Sequence, residues 1–108
     1  MALHEIKRND TRPYFPATLV FDNGSVAPIT GASIRFIARR RSDGQTKIDG
    51  AAVITDDAAG EVEYRFTTTD TDEAGAFDCE WEVTYADFTV QTFPTRGFDR
   101  LKVLGDLA

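Results

Sequence analysis

Residues 69–85, TDTDEAGAFDCEWEVTY, form the stretch whose local structure the sequence decides most clearly. From Phe77 onward, apolar and polar residues alternate without a break. Because successive side chains of a β-strand point to opposite faces, this pattern predicts a half-buried strand. The preceding residues, DEAGA, are polar or small and predict a corner that leads into it. The predicted apolar face consists of Phe77, Cys79, Trp81, Val83 and Tyr85.

Shorter alternating segments recur on both sides of this strand and are separated by turn residues. Residues 33–41 and 61–67 are the clearest, and residues 46–54 predict a weaker strand with a bulge or bend near Asp49 and Gly50. Residues 88–93 follow the main strand so closely that a tight hairpin is expected. The whole pattern predicts about eight short strands and no competing helix, as in an antiparallel β-sandwich or barrel.

Length and composition restrict the class of protein. A chain of 108 residues fits one domain with a single core, and 28% charged with 42% apolar residues argue against intrinsic disorder. The net charge of −6 argues against a sequence-independent nucleic-acid binder, which must neutralise phosphates. The sequence has no apolar run that predicts a membrane span and no signal peptide. We therefore expect a protein made in a cytosolic compartment that binds neither nucleic acid nor membrane.

The residues that could carry chemistry do not form a recognisable catalytic set. Cys79 is the only cysteine and is expected to be a buried small hydrophobe, while His4 has no second ligand nearby. Asp78, Glu80 and Glu82 form a straight row about 7 Å apart, whereas a Ca²⁺ site needs oxygens that converge on one point. We expect no enzyme, no cofactor and no metal site, and we expect the acidic row to be solvated or salt-bridged. The possible cross-strand partners are Arg35, Arg39, Arg65 and Arg100.

The chain is predicted to comprise an N-terminal strand or arm, a β-sandwich and a short tail, with bounds at residues 1–12, 13–104 and 105–108. Charged residues of the arm and a basic cluster at the end of the predicted strand 33–41 are not explained by a core. The plain interpretation of the cluster is a solvated strand end. The functional alternative is electrostatic docking onto an acidic neighbouring subunit. The candidate assembly contacts are His4, Lys7, Arg8, Arg39, Arg40 and Arg41.

The corner and strand at Asp72, Ala74, Gly75, Phe77 and Cys79 resemble the Asp-x-Ala/Gly-x-Tyr-x-Cys pattern that leads into strand F of immunoglobulin domains. Phe77 lacks the phenol that would make the tyrosine-corner hydrogen bond, and Cys79 has no cysteine partner. The resemblance implies an immunoglobulin-like antiparallel β-sandwich of about seven to eight strands rather than an antibody-type domain.

A resemblance over nearly the whole chain is to the immunoglobulin-like N-terminal domain of the BppU-type baseplate upper proteins of tailed bacteriophages. It implies a non-enzymatic structural component of a phage or prophage particle, placed in the tail or baseplate and made in the host bacterial cytoplasm. It also implies assembly with other virion proteins, as a homo-oligomer in a ring. The motifs that carry it are Asp10-Thr11, Ile29-Thr30-Gly31-Ala32, Ala59-Gly60-Glu61-Val62, Ala74-Gly75 and Thr92-Phe93-Pro94.

Two alternative functions stay open. A capsid decoration or neck protein belongs to the same structural class, and the position of the gene beside capsid or tail genes would discriminate the two. A host-surface carbohydrate-binding module would need an exposed aromatic platform, for which Tyr14, Phe15 and Phe88 are the candidates. Absence of binding on a glycan array would exclude that alternative.

Overall fold

The computed structural model describes residues 2–107, which form eight β-strands joined by turns and loops and contain no helix. The prediction of an all-β fold with about eight strands is confirmed. Met1 and Ala108, the outermost residues of the predicted N-terminal segment and tail, lie outside the described residues. None of the described residues belongs to a helix that could cross a membrane. The strands are β1 Leu3–Lys7, β2 Phe15–Thr18, β3 Ser33–Arg40, β4 Thr46–Asp56, β5 Glu61–Tyr64, β6 Gly75–Thr84, β7 Val90–Phe93 and β8 Asp99–Leu104.

The strands form one hydrogen-bonded sheet in the order β1-β8-β6-β3-β4-β5-β2, with β7 also paired to β6. The strand β6, which the alternating stretch predicted, lies in the interior of the sheet and pairs with β3 on one edge and with β7 and β8 on the other. The strand β1 runs parallel to β8, so the expectation of a wholly antiparallel arrangement is wrong at this pair. A hairpin would force two strands to run antiparallel. No hairpin joins β1 to β8, so these strands can pair in parallel.

The core forms where the sheet folds over on itself. The side chains of β2 and β5 contact those of β3 and β6, although neither β2 nor β5 is hydrogen-bonded to β3 or β6. The ring of Phe15 lies 5.5 Å from those of Phe36 and Trp81, and the ring of Tyr64 stacks on Phe36 at 4.5 Å. Large aromatic side chains bury the most apolar area per residue, so this cluster dominates the stabilisation of the fold.

The predicted apolar face of β6 is confirmed for four of its five residues, and the fifth, Tyr85, is half-buried. The Cys79 thiol is free and buried, as expected of a small hydrophobe. Burial and the nearby carboxylates of Asp99 and Asp78 raise its pKa, so the thiol stays protonated. The four buried residues are Phe77, Cys79, Trp81 and Val83.

The predicted interruption at Asp49 and Gly50 is wrong, because β4 runs unbroken from Thr46 to Asp56. Its register shifts lie near its two ends instead. A Cβ at Gly50 would lie 2.9 Å from the hydroxyl oxygen of Tyr64, which is closer than ordinary packing permits. The glycine therefore marks a close approach to an aromatic ring rather than a bend.

The predicted hairpin after β6 is confirmed, but its second strand begins at Val90 rather than at Phe88. Phe88 lies in the turn with a φ of 69°, in the left-handed region that glycine normally occupies. The amide of Tyr85 donates to the carbonyl of Thr89, and the amide of Phe88 donates to the carbonyl of Tyr85. The carboxylate of Asp87 accepts hydrogen bonds from the amide and hydroxyl of Thr89. These bonds hold a turn that contains no glycine.

Candidate assembly surface

The fold brings four of the six candidate contacts to one end of the sheet, which we call the arginine end and define by Lys7, Arg8, Arg40 and Arg41. Lys7 ends β1 beside Leu104, and Arg40 ends β3. The amide of Arg41 donates to the carbonyl of a residue near the start of β6. Three strand spacings separate β1 from β3 across β8 and β6, so the two strands lie about 14 Å apart measured across the sheet.

The three arginines of the arginine end are paired with acids of the same chain. The guanidinium of Arg40 donates two hydrogen bonds to the carboxylate of Glu73, at 2.6 and 2.8 Å, and lowers the pKa of that carboxyl. Arg8 pairs with Asp106 and Arg41 with Asp78. Such partly exposed pairs contribute under about 1 kcal/mol each, but they reduce the net positive field of the cluster.

Lys7 and Arg39 are the candidate contacts whose charges form no ion pair among residues 2–107. Lys7 is exposed at the end of the edge strand β1. Arg39 lies on the outer face of the sheet, where its guanidinium carbon is 5.1 Å from the ring centroid of Phe98. The ring attracts the cation without neutralising its charge. These two residues are therefore the exposed candidate cations that have no ion-pair partner among residues 2–107.

His4 does not stand on an exposed arm, because it occupies an inward-facing position of β1 opposite Leu101. Its ring is half-buried and stacks on Phe15 at 4.8 Å and on Phe66 at 5.9 Å. Its Nε2 atom lies 2.9 Å from the carbonyl oxygen of Pro13. The His4 side chain therefore connects the two edge strands of the sheet, β1 and β2.

A buried contact at Asp99 was not found from the sequence. One carboxylate oxygen of Asp99 accepts a hydrogen bond from the indole Nε1 of Trp81, and the other accepts one from the amide of Ala2, each at 3.0 Å. The carbonyl of Ala2 in turn accepts from the amide of Arg100. The signal that could have found it is that a buried tryptophan needs an acceptor for its N–H group. This contact fastens the start of β1 to the core.

The acidic row on the outer face of β6 is partly salt-bridged within the chain. Arg35 lies between Glu82 and Asp49 and pairs with both carboxylates. Arg65 pairs with Glu63 on its own side of the molecule rather than with the row. Within residues 2–107, no three His, Cys, Asp or Glu side chains cluster in a way that could hold a metal ion.

The three aromatic residues proposed for a carbohydrate platform do not form one. Phe15 is 1% exposed and belongs to the core, which removes it from any surface site. Tyr14 is half-buried and lies between the guanidinium groups of Arg12 and Arg65. Phe88 is 86% exposed at the tip of the β6–β7 hairpin.

Comparison with known proteins gives a family for the chain. A search of curated proteins found no match. The model of the BppU N-terminal domain matches residues 16–99, from the second residue of β2 to the first residue of β8. Since this match covers well over half of the chain, the protein belongs to the BppU N-terminal domain family.

Proposed function

We propose that the protein is a non-enzymatic structural component of a tailed phage or prophage particle, located in the tail or baseplate. The observation that carries the proposal is the match of residues 16–99 to the N-terminal domain of the BppU family. In this proposal the domain acts by binding neighbouring virion proteins.

The proposed mechanism is docking through the edges and ends of the sheet. The strands β1 and β2 are the two edge strands of the sheet, and each is hydrogen-bonded to a neighbouring strand on one side only. The backbone groups on the other side of each strand could pair with a neighbouring chain. Leu3, Glu5 and Lys7 are exposed along β1. The buried aromatic cluster supplies the rigid frame that such a contact surface requires.

We also infer that the fold is an immunoglobulin-like β-sandwich. Two features support this inference. The first half of β4 pairs with β3 and the second half with β5, so β4 passes from one layer to the other. The rings of β2 and β5 pack on those of β3 and β6, as two facing layers would. An experimental structure in which these layers do not face each other would contradict the inference.

We further propose that the domain assembles as a ring of identical copies and that Lys7 and Arg39 contact neighbouring subunits. Support comes from their accessible charges, whereas Arg8, Arg40 and Arg41 are paired with acids of their own chain. The test reverses one charge at a time in the encoding phage genome, as Lys7→Glu or Arg39→Glu. We expect about tenfold less protein in purified particles if one contact of about 1.4 kcal/mol is lost.

The matched control for the charge reversals is Arg96→Glu. The side chain of Arg96 is 89% exposed and lies in the β7–β8 connection, where it pairs with Asp22, so its reversal changes the net charge equally at a residue outside the proposed contacts. Incorporation of all three variants at wild-type levels would remove Lys7 and Arg39 from the contact surface.

Cryo-electron microscopy of the purified particle tests the main proposal. We expect density for the eight-stranded domain at the tail end, repeated around the tail axis. Density on the capsid or neck would replace the tail assignment by the decoration or neck alternative. Complete absence of the chain from purified particles would overturn the structural role.

A further inference from the structure

A cleft of about 440 Å³ lies at the end of the sheet opposite the arginine end, beside the tip of the β6–β7 hairpin. Its walls come from two segments, the hairpin and the connection between β2 and β3. Its main lining residues are Phe21, Pro28, Thr30, Tyr85, Asp87 and Gln91.

Contacts with neighbouring segments fix the positions of residues in the cleft walls. Gly31 of the β2–β3 connection lies beside Ala86 of the hairpin, since a Cβ placed on Gly31 would lie 3.6 Å from the Cβ of Ala86. The hydroxyl of Thr30 donates to Asp57 in the β4–β5 turn. The ring of Phe21 packs on that of Phe93 at 6.1 Å. A site whose walls are fixed in this way needs little rearrangement to bind a small ligand.

Two polar groups of the lining residues retain unused hydrogen-bonding capacity. The hydroxyl of Tyr85 donates to Oε1 of Gln91 at 2.7 Å, which fixes the amide and leaves the Nε2 amino group without an acceptor among residues 2–107. Asp87 uses Oδ1 for both bonds from Thr89, and its Oδ2 accepts none from another described residue. Those bonds lower the pKa of Asp87, so the carboxylate is ionised at neutral pH. The lining therefore offers a donor pair and a charged acceptor.

The composition of the lining selects the chemical class of ligand. It contains Asp87 but no Lys, Arg or His, so an anionic ligand would meet a like charge and no counter-charge. A purely apolar ligand would cover the amide and the carboxylate without satisfying them, which costs free energy. A sugar has hydroxyl groups that both donate and accept, together with an apolar C–H face for the rings of Phe21 and Tyr85. Phe88, which is 86% exposed, lies at the tip of the same hairpin.

We propose that this cleft binds a neutral saccharide, with Gln91 and Asp87 contacting adjacent hydroxyl groups and Tyr85 supporting the ring. This inference goes beyond the structural role proposed above and does not depend on it. The amide of Gln91 positions a sugar oxygen as a donor, and the carboxylate of Asp87 accepts from a neighbouring hydroxyl.

The test is a titration of the ¹⁵N-labelled 108-residue protein with methyl glucoside, methyl galactoside, methyl rhamnoside and N-acetylglucosamine. We expect saturable amide shifts confined to residues 28–31 and 85–91 with at least one of these sugars. Gln91→Ala should weaken that binding about tenfold, because the ligand loses a hydrogen bond from the side-chain amide. Gln45→Ala is the matched control, because Gln45 is exposed in the β3–β4 turn, away from the cleft, and should leave binding unchanged.

Three results would overturn the proposal. The first is the absence of saturable shifts with all four neutral sugars. The second is equal binding by Gln91→Ala and wild type. The third is tighter binding of N-acetylneuraminic acid or glucose 6-phosphate than of any neutral sugar, since that would contradict the charge argument.

Discussion

Replacing Gly50 by alanine should destabilise the protein, although alanine is ordinarily the better residue inside a strand. The added Cβ would lie 2.9 Å from Oη and 3.1 Å from Cε1 of Tyr64. The tyrosine cannot easily move away, because its ring stacks on Phe36 at 4.5 Å and its hydroxyl donates to Asp70 at 2.7 Å. The substitution therefore forces overpacking against a side chain fixed at both ends.

The expected change in the free energy of unfolding is the difference of two effects. Overpacking a well-packed site costs about 1 to 3 kcal/mol. Removing a glycine from the unfolded chain stabilises by about 0.4 to 1 kcal/mol. The mid-range net effect at Gly50 is a loss of about 1.3 kcal/mol, and each kcal/mol lowers the melting temperature of a domain near this size by about 4 to 8 °C.

Urea and thermal unfolding, followed by tryptophan fluorescence, measure the effect of Gly50→Ala. Gly105→Ala is the control, because a Cβ there meets no heavy atom of the described chain within 4 Å. Adding Tyr64→Phe removes the closest contact atom, so the double variant should lose less than the sum of the single changes. Equal stability of Gly50→Ala and Gly105→Ala would refute the close-approach argument.

Three further predictions concern buried and charged groups. Asp99→Ala should lower the free energy of unfolding by about 1 to 3 kcal/mol, because the buried indole N–H of Trp81 loses its acceptor. Chemical denaturation measures this change. Asp99→Asn should lower the free energy of unfolding by less than Asp99→Ala, because the amide keeps one carbonyl acceptor. The Cys79 thiol should react with a thiol reagent only upon unfolding, since burial and its raised pKa keep it protonated and inaccessible; reaction rates in and out of denaturant measure this. The Glu73 carboxyl should titrate by NMR below its ordinary pKa, because Arg40 hydrogen-bonds its charged form; that stabilisation is present above the unfolded pKa and is lost as the pH falls through the lowered folded value, and Arg40→Gln should raise the titration midpoint.

Local patterns in the sequence are sufficient to predict the strands that carry the core. The alternation in β6 and β3 follows directly from which side chains face inward, so the order of apolar and polar residues alone indicates which of them are buried. The interpretation of Gly50 as a bend is wrong, because the role of this glycine depends on Tyr64 from a different strand. A single sequence shows that a glycine is present but not which ring lies against it.

The candidate site is less predictable than the fold, because its properties come from contacts between distant segments. The basic cluster is visible in the sequence at Arg39–Arg41, but the neutralising partner of Arg40 lies 33 residues away in the β5–β6 connection. The cleft beside Asp87 and Gln91 likewise depends on how the β2–β3 connection packs against a hairpin. Neither arrangement has a local signal in the residues that form it.

The parallel pairing of β1 with β8 joins the first and last strands of the chain, residue 3 beside residue 100. Closing so long a loop costs conformational entropy that only the completed pairing offsets, and such non-local contacts slow folding. During synthesis, residues 3–7 have no partner strand until residues 99–104 have emerged from the ribosome. The N-terminal strand is therefore the first part of the sheet to be made and among the last to be incorporated.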